Sequence, residues 1–268
     1  MTMALESELT TMKLDSADLG VDSTPTAVLD RVSLVLDTFD GPGRLTLAQI
    51  VRRTGLPRSS AHRLLERLVS MRWLRREGRD YELGMRLVEL GSLAVHQDRL
   101  HAAALPLLHE LYRVTGFVVH LGILDGPDVV YLEKIGGRLA AAVPTRVGER
   151  RDAPTTALGQ VLLAFESPQP TTHSQRARIR EAGVAFERGI GLPGFSCLAA
   201  PIGLPGQAVA AVSICGPTTA LRNDHISAAP VRMAASAIWR AIDGGSHTVT
   251  PTLQRRQLLR NLPTAARA

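Results

Sequence analysis

Thr46 and Gln49 constrain this 268-residue chain more than any other pair of residues. A threonine hydroxyl can accept from the amide three positions on, and a glutamine at that position can reach back to the threonine amide; together they make a capping box. Leu45 and Ile50 have the spacing of the hydrophobic staple that accompanies one. A helix must therefore begin here, and its register is fixed. Thr54-Gly55 ends it, Pro57 suits the first position of a further helix, and Ala61, Leu64, Leu65, Leu68 and Met71 make one apolar stripe over 57–71. Residues 73–83 then carry two strand-forming runs around Glu77-Gly78-Arg79-Asp80, which predicts a hairpin. Upstream, Ala27, Val28, Val32, Val35, Leu36 and Phe39 recur at helical steps and predict a helix over 26–39, stopped by Asp40-Gly41-Pro42-Gly43. Two helices joined at a glycine turn and followed by a hairpin read as a winged helix-turn-helix over 25–84.

Charge gives that segment a chemistry. The chain carries +6 overall, yet Arg52 to Arg79 holds nine arginines against Glu66 and Glu77, a local balance of +7. A basic segment inside a folded region is the footprint of a binder of phosphate backbone, though a solvated face would have the same composition. With Ala61, Leu65 and Leu68 facing the core, the helical angle turns Ser59, Arg63 and Glu66 outward and His62 to the flank. An arginine fork and hydroxyls near a helix N-terminus suit the major groove. Arg58, Ser59, Ser60, His62 and Arg63 are therefore the candidate DNA-binding residues of the helix, and Arg75, Arg76 and Arg79 those of the hairpin. Arg63 could instead form a surface salt bridge, His62 could simply pack, and Glu66 either accepts from a cytosine amine or stands clear of the duplex.

The remainder reads as a different kind of unit. A helical run over 85–98 serves as a linker, and a helix follows at 99–115. Beyond Gly116, strand-like runs at 117–124, 128–135, 139–143, 184–187, 197–202 and 207–215 interleave with helical stretches at 155–165, 173–182 and 224–242, which gives an α+β domain over 99–245. Residues 1–24 are expected to be a disordered arm and 246–268 a mobile basic tail. The apolar stretch Leu198 to Val212 is interrupted by Pro201, Gly203, Pro205 and Gly206, so no membrane span is expected. The first 25 residues lack the basic and apolar regions of a secretory signal, so a cytoplasmic protein is expected. Cys197 and Cys215 form no Cys-x-x-Cys pair, and both are expected to be reduced.

Several runs of residues resemble the IclR family of bacterial transcriptional regulators. They are Gly55-Leu-Pro-Arg-Ser-Ser-Ala-His-Arg-Leu-Leu65, Tyr81-Glu-Leu-Gly-Met-Arg-Leu-Val-Glu-Leu-Gly91, Thr156-Ala-Leu-Gly159, Cys197-Leu-Ala-Ala-Pro-Ile202 and Ala211-Val-Ser-Ile-Cys-Gly-Pro217. The resemblance spans about 26–242. It implies a winged helix-turn-helix, a linker helix and a GAF-like C-terminal domain that binds a small metabolite, assembled as homodimers or homotetramers on palindromic double-stranded operators. Carried over position by position, it implies an effector site at Ala157, Leu158, Glu187, Cys197, Ser213 and Cys215. The chain departs from the family pattern at Cys215 in place of a serine, Pro154 in place of a common histidine, Gln160 in place of the usual lysine, and a short stretch between Phe165 and Arg178.

Enzyme chemistry is weaker in this sequence. Gly189-Ile-Gly-Leu-Pro-Gly194 matches a dinucleotide fingerprint by letter, but it runs into a strand and no acid occurs from 190 to 223, so it reads as a turn. Cys197 paired with His120 or His173 would be a nucleophile only with an activating arrangement that the sequence does not display. His96, His101 and His109 recur at helix-like intervals without acids on their face, so surface histidines are expected and no metal or other cofactor. The expected function is a ligand-responsive regulator that senses a small organic acid of a catabolic pathway. Two alternatives stay open: an enzyme that uses the helix-turn-helix for docking, and an architectural DNA-binding protein whose C-terminal half only dimerises. Glu187 has a second reading as well, as the cap of a turn beside Arg188.

Overall fold

The computed structural model describes residues 28–41, 43–169 and 174–243. The expected arm and tail lie outside the described residues, as do His173 and the first two residues of the expected 26–39 helix. The chain divides into two compact units, Met1–Ser92 and Leu93–Ala268.

The first unit holds α1 (Val28–Asp37), β1 (Leu45–Thr46), α2 (Leu47–Thr54), α3 (Arg58–Ser70), β2 (Leu74–Glu77) and β3 (Asp80–Leu83), then the start of α4 (Met85–Gln97). The capping box is complete: the Gln49 amide donates to Thr46 Oγ1 at 3.3 Å and the Thr46 amide to Gln49 Oε1 at 2.8 Å. Leu45 and Ile50 are buried in one cluster with Ala61, Leu65, Leu68, Leu74 and Tyr81. Gly55 takes the left-handed conformation (φ 69°) that a side chain would resist, and its amide closes α2 on the Val51 carbonyl. Pro57 lies one position earlier than expected. It is extended, with ψ 135°, and its carbonyl accepts the Ala61 amide, so it precedes the helix as the cap residue and Arg58 opens α3. The hairpin turns through Gly78-Arg79 with Gly78 at φ 62°. The sequence reading lacks β1, which pairs Leu45 with Tyr81 and Thr46 with Asp80, so that the residue capping α2 is also a strand of the wing sheet. At the end of the unit the Gly84 amide donates to the Trp73 carbonyl (2.7 Å) and the Arg86 amide to the Arg72 carbonyl (3.1 Å). Arg72 and Arg86 both hold Glu89, which clamps the first turns of α4 to the helix-turn-helix.

The second unit contains α5 (Arg99–Thr115), β4 (Val118–Asp125), β5 (Asp128–Ile135), α6 (Gly137–Ala140), β6 (Arg150–Asp152), α7 (Ala157–Phe165), α8 (Ser174–Ala182), β7 (Ala185–Arg188), β8 (Phe195–Ile202), β9 (Ala210–Pro217) and α9 (His225–Asp243). Six antiparallel strands lie in the order β6-β5-β4-β9-β8-β7. Alternation along β8 and β9 sorts their side chains. Leu198, Ala200, Ile202, Val212 and Ile214 pack with residues of α5 and α9, whereas Ala199 and Ala211 pack with α7 and Ile179 of α8. The fold is thus α+β, a winged helix-turn-helix followed by a helix-covered antiparallel sheet. The strand expected at 139–143 is absent: Gly137–Ala140 is a helical turn, and 141–143 continues in a bend whose Val143 is buried beside Val118. The expected 207–215 strand begins at Ala210, because 203–209 forms the reversal out of β8. Among the described residues no helix is long and apolar enough to cross a membrane.

Gly159 supplies a test of how α7 is seated. A methyl group there would overlap the backbone carbonyl of Ala153, which cannot retreat without breaking the turn ahead of α7. Gly159→Ala is expected to destabilise the second unit by about 1–3 kcal/mol, read as a lower midpoint in urea unfolding.

Candidate functional site

Two places collect the residues singled out by the sequence. On α3, Arg58, Ser59, His62, Arg63 and Arg67 are exposed and Ser60 is half-buried. No ion pair engages Arg58, Arg63, Arg67 or Arg79 among the described residues, so the salt-bridge alternative for Arg63 has no partner there. The hairpin arginines differ. Arg75 Nη2 lies 2.6 Å from Glu82 Oε2, and Arg44 bridges Glu77 and Glu82. Arg76 bonds Glu66 Oε1 at 2.9 Å and the Gly78 carbonyl at 3.0 Å, with its guanidinium 5.6 Å from the centre of the Tyr81 ring. Glu66 therefore has a partner within the protein. It ties the helix to the wing, with His62 Nε2 3.8 Å away.

The second place is a narrow cavity in the C-terminal unit, at the N-terminus of α7. It is lined by His120 of β4, Tyr131 of β5, Arg151 of β6, Thr155 to Leu158, Glu187 of β7, Gly191 and Leu192, Cys197 of β8 and Ser213 of β9. Of the six expected effector residues, Ala157, Leu158, Glu187, Cys197 and Ser213 are in this wall. Cys215 is not. It sits behind Cys197, fully buried against Val118, Val143 and Leu192, because it lies two pairs further along β9 than Ser213. The two sulfurs are 2.9 Å apart.

Several wall residues are held from behind. Thr156 caps α7 by accepting the Gly159 amide at 3.0 Å, and the next two residues, Ala157 and Leu158, line the cavity. Glu187 is 3% exposed and accepts from the Ile190 and Gly191 amides, so its turn-capping reading holds while it also lines the cavity. Arg151 bonds Glu149 Oε1 at 2.7 Å and the Gly191 carbonyl at 2.8 Å, tying β6 to the loop after β7. The His120 ring meets Tyr131 edge-on at 5.1 Å, and its Nε2 lies 2.8 Å from Thr145 Oγ1. Burial, with Lys134 and Arg151 nearby, pushes His120 down to about 3, so the imidazole is neutral. Burial likewise pushes the Tyr131 phenol up. The thiol of Cys197 is raised by its contact with Cys215 and by burial, which is the reverse of what a nucleophile requires. The free volume is small, about 10 Å3 for the centre of a water-sized molecule.

Sequence reasoning missed His120, Tyr131, Arg151, Thr155, Thr156, Gly191 and Leu192 as members of this wall. Thr156 with Gly159 had the spacing of a helix cap, and His120 is a lone polar residue in an apolar strand; both were usable signals. The histidines expected on the surface divide: His96 and His109 are exposed, but His101 is half-buried in a 2.9 Å pair with Glu133.

The chain matches the models of the IclR helix-turn-helix domain over residues 28–78 and of the bacterial transcriptional regulator IclR C-terminal domain over 92–176. It is 35% identical over 199 residues to the HTH-type transcriptional regulator XynR of Escherichia coli, covering 65% of this chain and 79% of that one. It is 26% identical over 240 residues to the regulator KdgR of Dickeya chrysanthemi, covering 80% and 79%. Among solved structures, an IclR homolog from Microbacterium hydrocarbonoxydans complexed with 4-hydroxybenzoate aligns with a TM-score of 0.70 at 27% identity, over 81% of this chain and all of that one.

The neutral His120 makes stability depend on acid. The unfolded chain takes up this proton near pH 6.5, whereas the folded chain resists until about pH 3. The stability due to a neutral imidazole is therefore whole above pH 6.5 and is lost as the pH falls toward 3, by up to about 1.4 kcal/mol per pH unit. His120→Gln removes this component while leaving the carboxylates in common. Wild-type unfolding free energy minus that of the variant is expected to be flat above pH 7 and to fall between pH 6 and pH 4.

Proposed function

Because this chain belongs to the IclR family of bacterial transcriptional regulators, with a DNA-binding helix-turn-helix and an effector domain, we propose that it binds palindromic operators as a dimer or tetramer and releases or tightens its hold when a small organic acid enters the cavity beside α7. The observation that carries this reading is the combination of unengaged guanidinium groups on α3 with a built, polar-lined cavity in the other unit.

On DNA, Arg58, Ser59, Ser60, His62 and Arg63 enter the major groove and Arg79 meets phosphate at the hairpin tip. Arg75 and Arg76 can join it, since an exposed ion pair such as Arg75–Glu82 is worth only about 0–1 kcal/mol and exchanges readily for phosphate. Exposed Met85, Val88, Leu93 and Val95 on α4 are the kind of surface that a second copy covers, and a two-fold operator requires that copy. The Arg72–Glu89–Arg86 clamp ties α4 to the turn that follows α3, so a displacement of the linker helix is passed toward the recognition face.

In the cavity, the Ala157 and Leu158 amides hold the carboxylate of the ligand at the positive end of α7. Glu187 accepts from a hydroxyl on its body. Tyr131 and Leu192 favour an aromatic or longer aliphatic acid, a class that includes the 4-hydroxybenzoate carried by the Microbacterium homolog. A space of about 10 Å3 is far too small for such a molecule, so binding must open the walls. That difference between free and bound states is what a ligand needs in order to shift an equilibrium.

Arg63→Ala is expected to lose about 1–3 kcal/mol of operator affinity and to relax the preference at one base pair per half-site, measured by anisotropy on operator and scrambled duplexes. Arg76→Ala should weaken both duplexes alike and lower the salt slope by roughly one ion. Equal loss on both duplexes for Arg63→Ala would remove α3 from the groove.

Glu187→Gln keeps an oxygen for the Ile190 and Gly191 amides but removes the charge that receives a ligand hydroxyl. Calorimetry with 4-hydroxybenzoate as the probe should give about tenfold weaker binding. Unchanged affinity would put the ligand elsewhere.

A further inference from the structure

We propose that Cys197 and Cys215 form a reversible disulfide site in the wall of this cavity, oxidised by hydrogen peroxide; its effect on ligand binding rests on the effector reading above. They are the only two cysteines in the chain, and the fold sets them directly opposite each other on the adjacent antiparallel strands β8 and β9. Opposed residues in such a ladder lie about 4.5–5.5 Å apart at Cα, within the range that a disulfide spans, so no backbone shift is required. Their sulfurs already touch at 2.9 Å.

Access selects the oxidant. Cys197 is the partly exposed member and lines the cavity, whereas Cys215 is wholly buried behind it. Hydrogen peroxide, one oxygen larger than water, is the oxidant nearest in size to this space of about 10 Å3, which is far too small for glutathione disulfide. Cys197 sulfur, as thiolate, attacks one peroxide oxygen and breaks the O–O bond, giving the sulfenic acid and hydroxide, which takes up the proton that the thiol released on ionising and becomes one water. The Cys215 sulfur then displaces hydroxide from that sulfenic acid, the S–S bond forms, and the released proton completes a second water. The sum is two thiols and one peroxide to one disulfide and two waters, a two-electron oxidation of the pair. Contact with Cys215 and burial raise the Cys197 thiol, so the reaction is slow at neutral pH and quickens as the pH rises. Peroxide must therefore be sustained, and once formed the disulfide is equally sheltered from bulky reductants. Oxidation removes the Cys197 S–H donor from this wall and fixes β8 to β9, so a hydroxylated acid loses one polar partner there, about tenfold in affinity.

The test treats reduced, full-length protein with peroxide at pH 7 and pH 8.5, then denatures it and alkylates free thiols. The expected product is a monomer lighter by two hydrogens and unalkylated, formed faster at pH 8.5 and returned to two alkylated thiols by a small dithiol reductant under native conditions. Cys215→Ser should stop at oxygen adducts on Cys197. Two alkylated thiols after peroxide, oxygen adducts alone in the wild type, or a disulfide only between chains would each overturn the proposal. Calorimetry with 4-hydroxybenzoate separates this from the effector reading. Equal affinity for reduced and oxidised protein refutes the regulatory effect, whereas a disulfide that forms in a protein unable to bind the acid in either state supports the site and refutes the effector reading.

Discussion

The pairing of β8 with β9 governs the C-terminal unit. In the observed register Cys197 opposes Cys215 and Ala199 opposes Ser213, which turns Leu198, Ala200, Val212 and Ile214 toward α5 and α9 and leaves the alternate residues for α7 and the cavity. A slip of one residue in either strand would put its leucine and isoleucine side chains against the cavity and its serine or cysteine in the core. The apolar demand of one face thus fixes the chemistry of the other. β4 extends the same rule, since His120 pairs with Ser213 and reaches the cavity side while Val119 and Leu121 join the core.

How far the sequence could be read follows from how local each cause is. The α2 cap, its Gly55 stop and the extents of α4 and α5 depend on residues within a turn of each other, and were legible. Leu139-Ala-Ala-Ala-Val143 is a short apolar run without periodicity, which suits a strand or a helical turn equally, and the turn won. β1 and β6 are two and three residues long, and β6 is polar throughout, so only their partners reveal them. The cavity behaves likewise. Family resemblance pointed to Ala157, Leu158, Glu187, Cys197 and Ser213, but Tyr131 and Arg151 arrive through strand pairings that no spacing encodes. The resemblance put Cys215 in the wall, yet it lies two pairs beyond Ser213 and behind Cys197, because resemblance carries a position and not its depth.

In the N-terminal unit, the concentration of arginine is less uniform than its sequence implies. Arg72, Arg75 and Arg76 spend their charge on Glu89, Glu82 and Glu66, and these pairs fasten the linker helix and the wing to the helix-turn-helix. Arg58, Arg63, Arg67 and Arg79 keep theirs outward. A basic segment of nearly one sign therefore serves two ends, internal bracing at the cost of weak exposed pairs and an unneutralised face toward a polyanion.

The proposed function joins the two units by an energetic coupling, and linkage makes it measurable from either side. Calorimetric titration of a hydroxylated aromatic acid into the free protein, and into the same protein saturated with operator, tests it most directly. The account predicts affinities that differ by about 5–150-fold, matched by an equal change in operator affinity when the acid is saturating. The same ligand affinity with and without operator would contradict it.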